Sequence, residues 1–135
     1  NKLKKAARRG VDVRVLVPEK TDVPITRWAA HASYSDLLRA GVKIYEYQRR
    51  FLHAKTALID ADFSVIGTSN FDYRSFFTNY ELNLCTRSER LNETLASIFI
   101  EDLKSSKAIS YSSWSHRPCL SYLGDVIGWM ARRWL

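Results

Sequence analysis

His53-Ala54-Lys55-Thr56-Ala57-Leu58-Ile59-Asp60, continued by Gly67-Thr68-Ser69-Asn70, is the stretch on which the fold of this chain turns. An imidazole and an ammonium stand two residues apart at its head. The spacing predicts a strand over His53–Ile59, and side chains of a strand alternate faces, so positions 53 and 55 are expected side by side. Asp60-Ala61-Asp62 predicts a turn, with Phe63–Ile66 returning as the hairpin partner. A phosphate on that face would meet a nitrogen nucleophile or acid from His53 and a fixed positive charge from Lys55. The Asn70 amide and the Thr68 hydroxyl can donate to its non-bridging oxygens, and Gly67 lets the backbone approach.

The carboxylates need separate roles. Tyr80–Thr86 predicts a further strand, with Glu81, Asn83 and Cys85 on one face. A carboxylate accepting from one ring nitrogen of a histidine fixes the tautomer and frees the other nitrogen to react; Glu81 is the candidate. Asp60 shares parity with Ala54, so it is expected to tie down the turn, although its place in the pattern also puts it in the catalytic set with His53 and Lys55. Asp72 and Arg74 are expected to pair and hold a long loop, Gly67–Asn79. Each residue taken singly has an ordinary structural use, and only the joint occurrence points to chemistry. The constellation occurs once: His31-Ala32-Ser33 and His116-Arg117-Pro118 do not repeat it.

Outward from this stretch, the basic run Lys2–Arg9 predicts the last turns of a helix stopped by Gly10. A chain that opens inside a helix is expected to be part of a longer protein. Val11–Val17 predicts a buried strand ended by Pro18, then a helix capped by Thr26 and running to Ala40, with Gly41 as the stop. Val42–Tyr47 is a second strand, so the three form a βαβ unit with parallel strands. Ser88 is expected to cap a helix to Lys104, with Leu91, Leu95, Ile98, Phe99 and Leu103 at helical period. Residues 105–119 read as a serine-rich linker. Residues 120–135 read as an amphipathic helix with Leu120, Leu123, Ile127, Met130 and Trp134 on one face. Trp129, Arg132 and Arg133 near its end suit an interfacial membrane helix, but packing on its own domain is the favoured expectation.

Composition sets outer bounds. The 135 residues are enough for one domain with a core, and 46% hydrophobic residues is a globular fraction. The net charge of +7 selects acidic partners, whether nucleic acid, an anionic membrane surface or an anionic substrate. No apolar run approaches the roughly 20 residues of a spanning helix, and no signal-peptide pattern is present. Cys85 and Cys119 make no disulfide framework, and Cys85 is expected as a buried free thiol. The histidines fall into no metal-ligand spacing, so no metal or other cofactor is expected.

His53-x-Lys55-x4-Asp60-x6-Gly67-Thr68-x-Asn70 is a complete match to the signature of the phospholipase D superfamily, and the chain resembles the C-terminal half of bacterial cardiolipin synthases over residues 3–104. The likeness extends through Arg9–Arg14, Tyr34 with Leu37-Leu38, Ala40–Tyr47, Leu52–Lys55, Asn70–Ser75 and Asn79–Leu84. The resemblance implies an α/β fold, a mixed sheet flanked by helices, forming one half of a two-lobed or dimeric architecture, with residues 1–104 as the catalytic half-domain. It implies two such motifs facing one cleft. One histidine forms a phosphohistidine; the other, here His53, protonates the leaving oxygen and then activates the acceptor. Lys55, Asn70 and Thr68 would bind phosphate, and Glu81 would orient a catalytic histidine. It implies transfer of a phosphatidyl group between two phosphatidylglycerol molecules with release of glycerol, an anionic phospholipid and a membrane surface as partners, and a bacterial inner-membrane location at the cytoplasmic face or peripheral. The second motif must come from the same full-length chain or a second subunit. A phospholipase D hydrolase, a homodimeric nuclease with one motif per chain, and a non-catalytic binding module stand as alternatives.

Overall fold

A computed structural model describes residues 2–70 and 72–131, without the side chains of residues 76 and 119–121. The described chain forms two compact units, one comprising the residues up to Leu52 and those from Ser105 onward, the other His53–Lys104.

The first unit is built on a three-stranded sheet of order β1-β2-β6, with β1 Arg14–Pro18, β2 Lys43–Tyr47 and β6 Ser106–Ile109. β1 and β2 are parallel, joined through helix α2 Pro24–Arg39, so the expected βαβ unit forms. The preceding helix α1, Lys2–Arg8, ends as the sequence foretells at Gly10, whose φ of 90° is open to glycine at little cost; Gly41 ends α2 in the same way at 92°. The start of α2 differs from expectation. Pro24 occupies the first turn after Val23, and the Thr26 hydroxyl donates back to the Val23 carbonyl at 2.7 Å, so Thr26 lies inside the helix and is not its cap. β1 begins three residues later than expected, leaving Val11 exposed, and β1 is half-buried.

The serine-rich segment is not a linker. It forms β6, which pairs antiparallel with β2, and helix α5, Tyr111–Ser115, capped by the Ser110 side chain accepting from the Ser113 amide. Trp114 on α5 is buried beside Tyr34, Val42 and Ile44, so this segment completes the core of the unit. Val42 and Ile44 are each 2% exposed, and burying such side chains contributes about 1.5–3 kcal/mol apiece. A polar cluster sits in the same core. Glu46 accepts from the Tyr34 hydroxyl and is bonded to His31 Nε2, both at 3.2 Å. Burial opposes ionisation of Glu46, but the bond and charge of His31, with the Arg27 charge and the Tyr34 hydroxyl, together outweigh it and hold the carboxyl below its ordinary range. Burial, with the Glu46 charge, pushes the Tyr34 phenol far upward.

Helix α6, Cys119–Ala131, packs on α2 and on this point the favoured expectation holds, but the packed face is the unexpected one. Gly124 and Gly128 lie against Trp28 and Ala29; a Cβ at Gly128 would collide with the Trp28–Ala29 backbone, at 2.7 Å from the Trp28 carbonyl oxygen alone. The small-residue spacing Gly124-x-x-x-Gly128 permits that approach, while Leu123, Ile127 and Met130 of the apolar stripe remain 59%, 43% and 67% exposed. Trp134, Arg132 and Arg133 lie outside the described residues, as does the Leu120 side chain. No helix among the described residues is long and apolar enough to cross a membrane.

The second unit is an antiparallel meander of β3 Thr56–Ile59, β4 Phe63–Gly67 and β5 Asn83–Arg87. Helix α4, Glu89–Lys104, covers it, and Ser88 caps α4 as expected, its oxygen accepting from the Leu91 amide. Asn92, 4% exposed, fixes α4 to the sheet by donating to the Phe63 carbonyl and to Ser64 Oγ, and Ser64 itself is fully buried. Cys85, expected in the core, is exposed on β5. The long loop contains a short helix, α3 Tyr73–Phe77, which Asp72 caps by accepting from the Ser75 amide at 2.8 Å. Among the described residues no ion pair joins Asp72 to Arg74; capping a helix is what Asp72 does here.

Candidate active site

The motif lies where the hairpin β3–β4 meets the segment leading into β5. His53 and Lys55 precede β3 instead of lying within it, so strand alternation does not set their directions. What brings the two arms of the motif together is the backbone: the Gly67 amide donates to the Lys55 carbonyl at 3.0 Å, extending the β3–β4 register by one pair. His53 is exposed, and its own carbonyl accepts from Lys55 Nζ at 2.9 Å. The ammonium is therefore held close to the histidine while remaining only partly buried. Asn70 is exposed three residues past Gly67.

Gly67 is required by contact and not by its dihedral angles. A Cβ there would run into Asn83 Oδ1 and the Leu82 carbonyl oxygen, and would lie 2.8 Å from Asn83 Cα. That close approach lets Thr68 sew the two segments together. Its amide donates to the Leu82 carbonyl and its hydroxyl accepts from the Leu82 amide, both at 3.0 Å. The same hydroxyl donates to Glu81 Oε2 at 2.5 Å. A hydroxyl has one proton, so in this arrangement Thr68 has none left for a phosphate, and its role becomes that of fixing Glu81. Next to it, Asn83 donates to Ser69 Oγ at 2.6 Å.

Glu81 lies two residues ahead of β5, not on the strand. The Thr68 hydroxyl, first of all, then Ser75, with smaller help from Asn79 and the Lys55 charge, holds its carboxyl below the ordinary range. It is thus a fixed, ionised carboxylate close to the lysine of the motif. Among the described residues, no histidine of this chain bonds to it; His31 is committed to Glu46. Ser75, which sequence reasoning passed over, is 6% exposed on α3, and its hydroxyl is a second group that favours the ionised Glu81 carboxylate.

Asp60 does not join this group. It sits at the turn end of β3, five residues from Lys55, which at ~3.3 Å per residue puts it about 16 Å along the strand. Its φ of 55° is left-handed, a conformation that Asp tolerates better than most residues. Its place in the motif is that of a hairpin-turn residue, as its parity suggested, apart from His53 and Lys55 at the other end of β3. His53, Lys55, Asn70, Thr68 and Glu81 together provide an imidazole, a fixed cation, an amide donor and an anchored carboxylate. That set suits a phosphodiester without supplying a second imidazole.

Comparison with known proteins agrees with this chemistry. The family described as "Cardiolipin synthase, PLD-like domain" matches residues 1–103. Among curated relatives, cardiolipin synthase 1 of Staphylococcus aureus is 42% identical over 118 residues, covering 87% of this chain and 24% of the relative. The cardiolipin synthase of Clostridium perfringens is 38% identical over 125 residues, covering 93% and 26% respectively. The chain therefore spans about a quarter of the length of these curated relatives. Among solved structures, the phospholipase D family member Nuc from Salmonella typhimurium superposes with a TM-score of 0.70 at 18% identity, covering 79% of this chain and 70% of that one, which shows a shared fold.

Proposed function

The chain belongs to the phospholipase D-like family of cardiolipin synthases, and on that premise we propose that it contributes one half-site to phosphatidyl transfer between two phosphatidylglycerol molecules. The observation that carries this reading is the intact motif with Lys55 beside His53 and Glu81 held ionised by Thr68. In this reading a histidine of a second half-site, from elsewhere in the full-length chain or from a second subunit, attacks phosphorus. An N–P bond forms as the P–O bond to glycerol breaks, and His53 gives its proton to the departing oxygen. The now neutral His53 takes the proton of the acceptor hydroxyl, whose oxygen attacks phosphorus and releases the first histidine. Lys55 and Asn70 hold the non-bridging oxygens, where negative charge accumulates. Glu81, anchored by Thr68, orients a catalytic histidine.

The partners in this reading are phosphatidylglycerol and the bilayer that contains it, at the bacterial inner membrane. The exposed stripe of Leu123, Ile127 and Met130 on α6 supports a membrane surface as its setting. The test uses the full-length protein, labelled phosphatidylglycerol and EDTA. Cardiolipin and glycerol should form in equal amounts, and His53→Asn should reduce turnover by about 10²–10⁴-fold with folding intact. Release of phosphatidic acid alone would favour a hydrolase. Cleavage of an oligonucleotide with no lipid turnover would favour a nuclease. Full activity of His53→Asn would remove the acid–base role.

A further inference from the structure

Two guanidinium groups that this reaction leaves unused, those of Arg49 and Arg50, line a surface recess of about 340 Å³. Both residues are exposed, and among the described residues neither has an acidic partner. Arg14, Arg87 and Arg117, by contrast, each face an aspartate at 2.6–2.8 Å. Two adjacent like charges repel one another, and an anion seated between them relieves that repulsion. The planar fork of arginine matches the oxygens of a phosphate in two-point hydrogen bonding.

Arg50 and His53 are three residues apart, so their Cα atoms lie within about 11 Å of each other at full extension. The reaction proposed above, on which this inference rests, joins two lipids that each carry a phosphodiester. His53, Lys55 and Asn70 account for the phosphate that is transferred. The acceptor brings a second one, and in the product a single glycerol separates the two. A second cationic seat is therefore needed within a headgroup's length of the first. We propose that Arg49 and Arg50 hold the phosphodiester of the acceptor phospholipid, and so favour an anionic lipid over water or a small neutral alcohol as the acceptor.

The test uses the full-length enzyme with vesicles of labelled phosphatidylglycerol diluted in phosphatidylcholine, with ethanol present as a neutral competing acceptor. The readout is the ratio of cardiolipin to phosphatidylethanol. Both products draw on the same donor, so the ratio reports the acceptor alone. Arg49→Gln/Arg50→Gln should lower it by about tenfold or more, the loss expected when charge-assisted hydrogen bonds are removed, through a raised KM for phosphatidylglycerol as acceptor. Arg49→Lys/Arg50→Lys should restore part of it. An unchanged ratio, or two products falling in step, would overturn the proposal. Inorganic phosphate that inhibits the wild type while the Gln variant keeps the wild-type ratio would assign the recess to a free anion, and would overturn it too. A wild type that makes phosphatidylethanol but no cardiolipin refutes the proposed function itself, and that result appears before any arginine is changed.

Discussion

Gly67→Ala isolates the contact on which the site's geometry depends. The added methyl group has nowhere to go: the Leu82 carbonyl oxygen and the Asn83 Oδ1 and Cα atoms already occupy its place, and two of these are backbone atoms that no rotamer change can move. Overpacking of this kind costs about 1–3 kcal/mol. Parting β4 from the segment before β5 also breaks the bond from the Thr68 amide to the Leu82 carbonyl, worth about 1 kcal/mol. The sum, about 2–4 kcal/mol, corresponds to a fall in Tm on the order of 10 °C for a unit that unfolds in one step. Turnover should fall with it, because the Thr68 hydroxyl can no longer hold Glu81. Calorimetry and labelled-lipid turnover on the full-length enzyme measure the two effects, and hydrogen exchange at the Thr68 amide localises them. A Gly67→Ala variant with wild-type Tm, protection and turnover would refute both the close approach and its link to Glu81.

Three further outcomes test neighbouring parts of the argument. Thr68→Val keeps the shape but removes the proton given to Glu81, whose folded pKa is depressed. The contribution of the ionised carboxylate is present above its ordinary pKa and lost as pH falls through the folded one, so the variant should move the acid limb of the pH–activity profile to higher pH; an unmoved limb counts against the clamp. Asp60→Asn keeps a residue that tolerates positive φ and should retain turnover within about threefold, since Asn and Asp share that tolerance; a loss like that of His53→Asn would return Asp60 to the catalytic set. Ile127→Glu/Met130→Glu alters two exposed positions of α6, so it should leave the fold intact and weaken sedimentation with anionic liposomes by about tenfold or more; unchanged binding would separate this stripe from the membrane.

What could be read from the chain alone followed from short-range physics. The stops at Gly10 and Gly41 and the cap at Ser88 depend on neighbouring residues, and β1–α2–β2 follows from hydrophobic period and chain handedness. The motif is compact in sequence, so its chemistry was legible before any coordinates. Errors arose where a partner is distant along the chain. The serine-rich segment reads as a linker until β2 supplies the ladder for β6 and Tyr34 the wall for Trp114. Cys85 looks like a core residue until β5 proves exposed on that side. Thr68 looks like a phosphate ligand until Glu81 arrives at its hydroxyl.

The sequence by itself determined the family chemistry: an imidazole, an ammonium and an amide at fixed spacing, in a chain of net charge +7. Only the tertiary structure decided how those groups are held. Gly67 and Thr68 act through Glu81 and Leu82, more than ten residues away, and α6 turns its glycines, not its leucine stripe, to α2. The physical reason is that a side chain's donor capacity and its steric room are exhausted by whatever lies beside it in space, and spacing along a chain records neither.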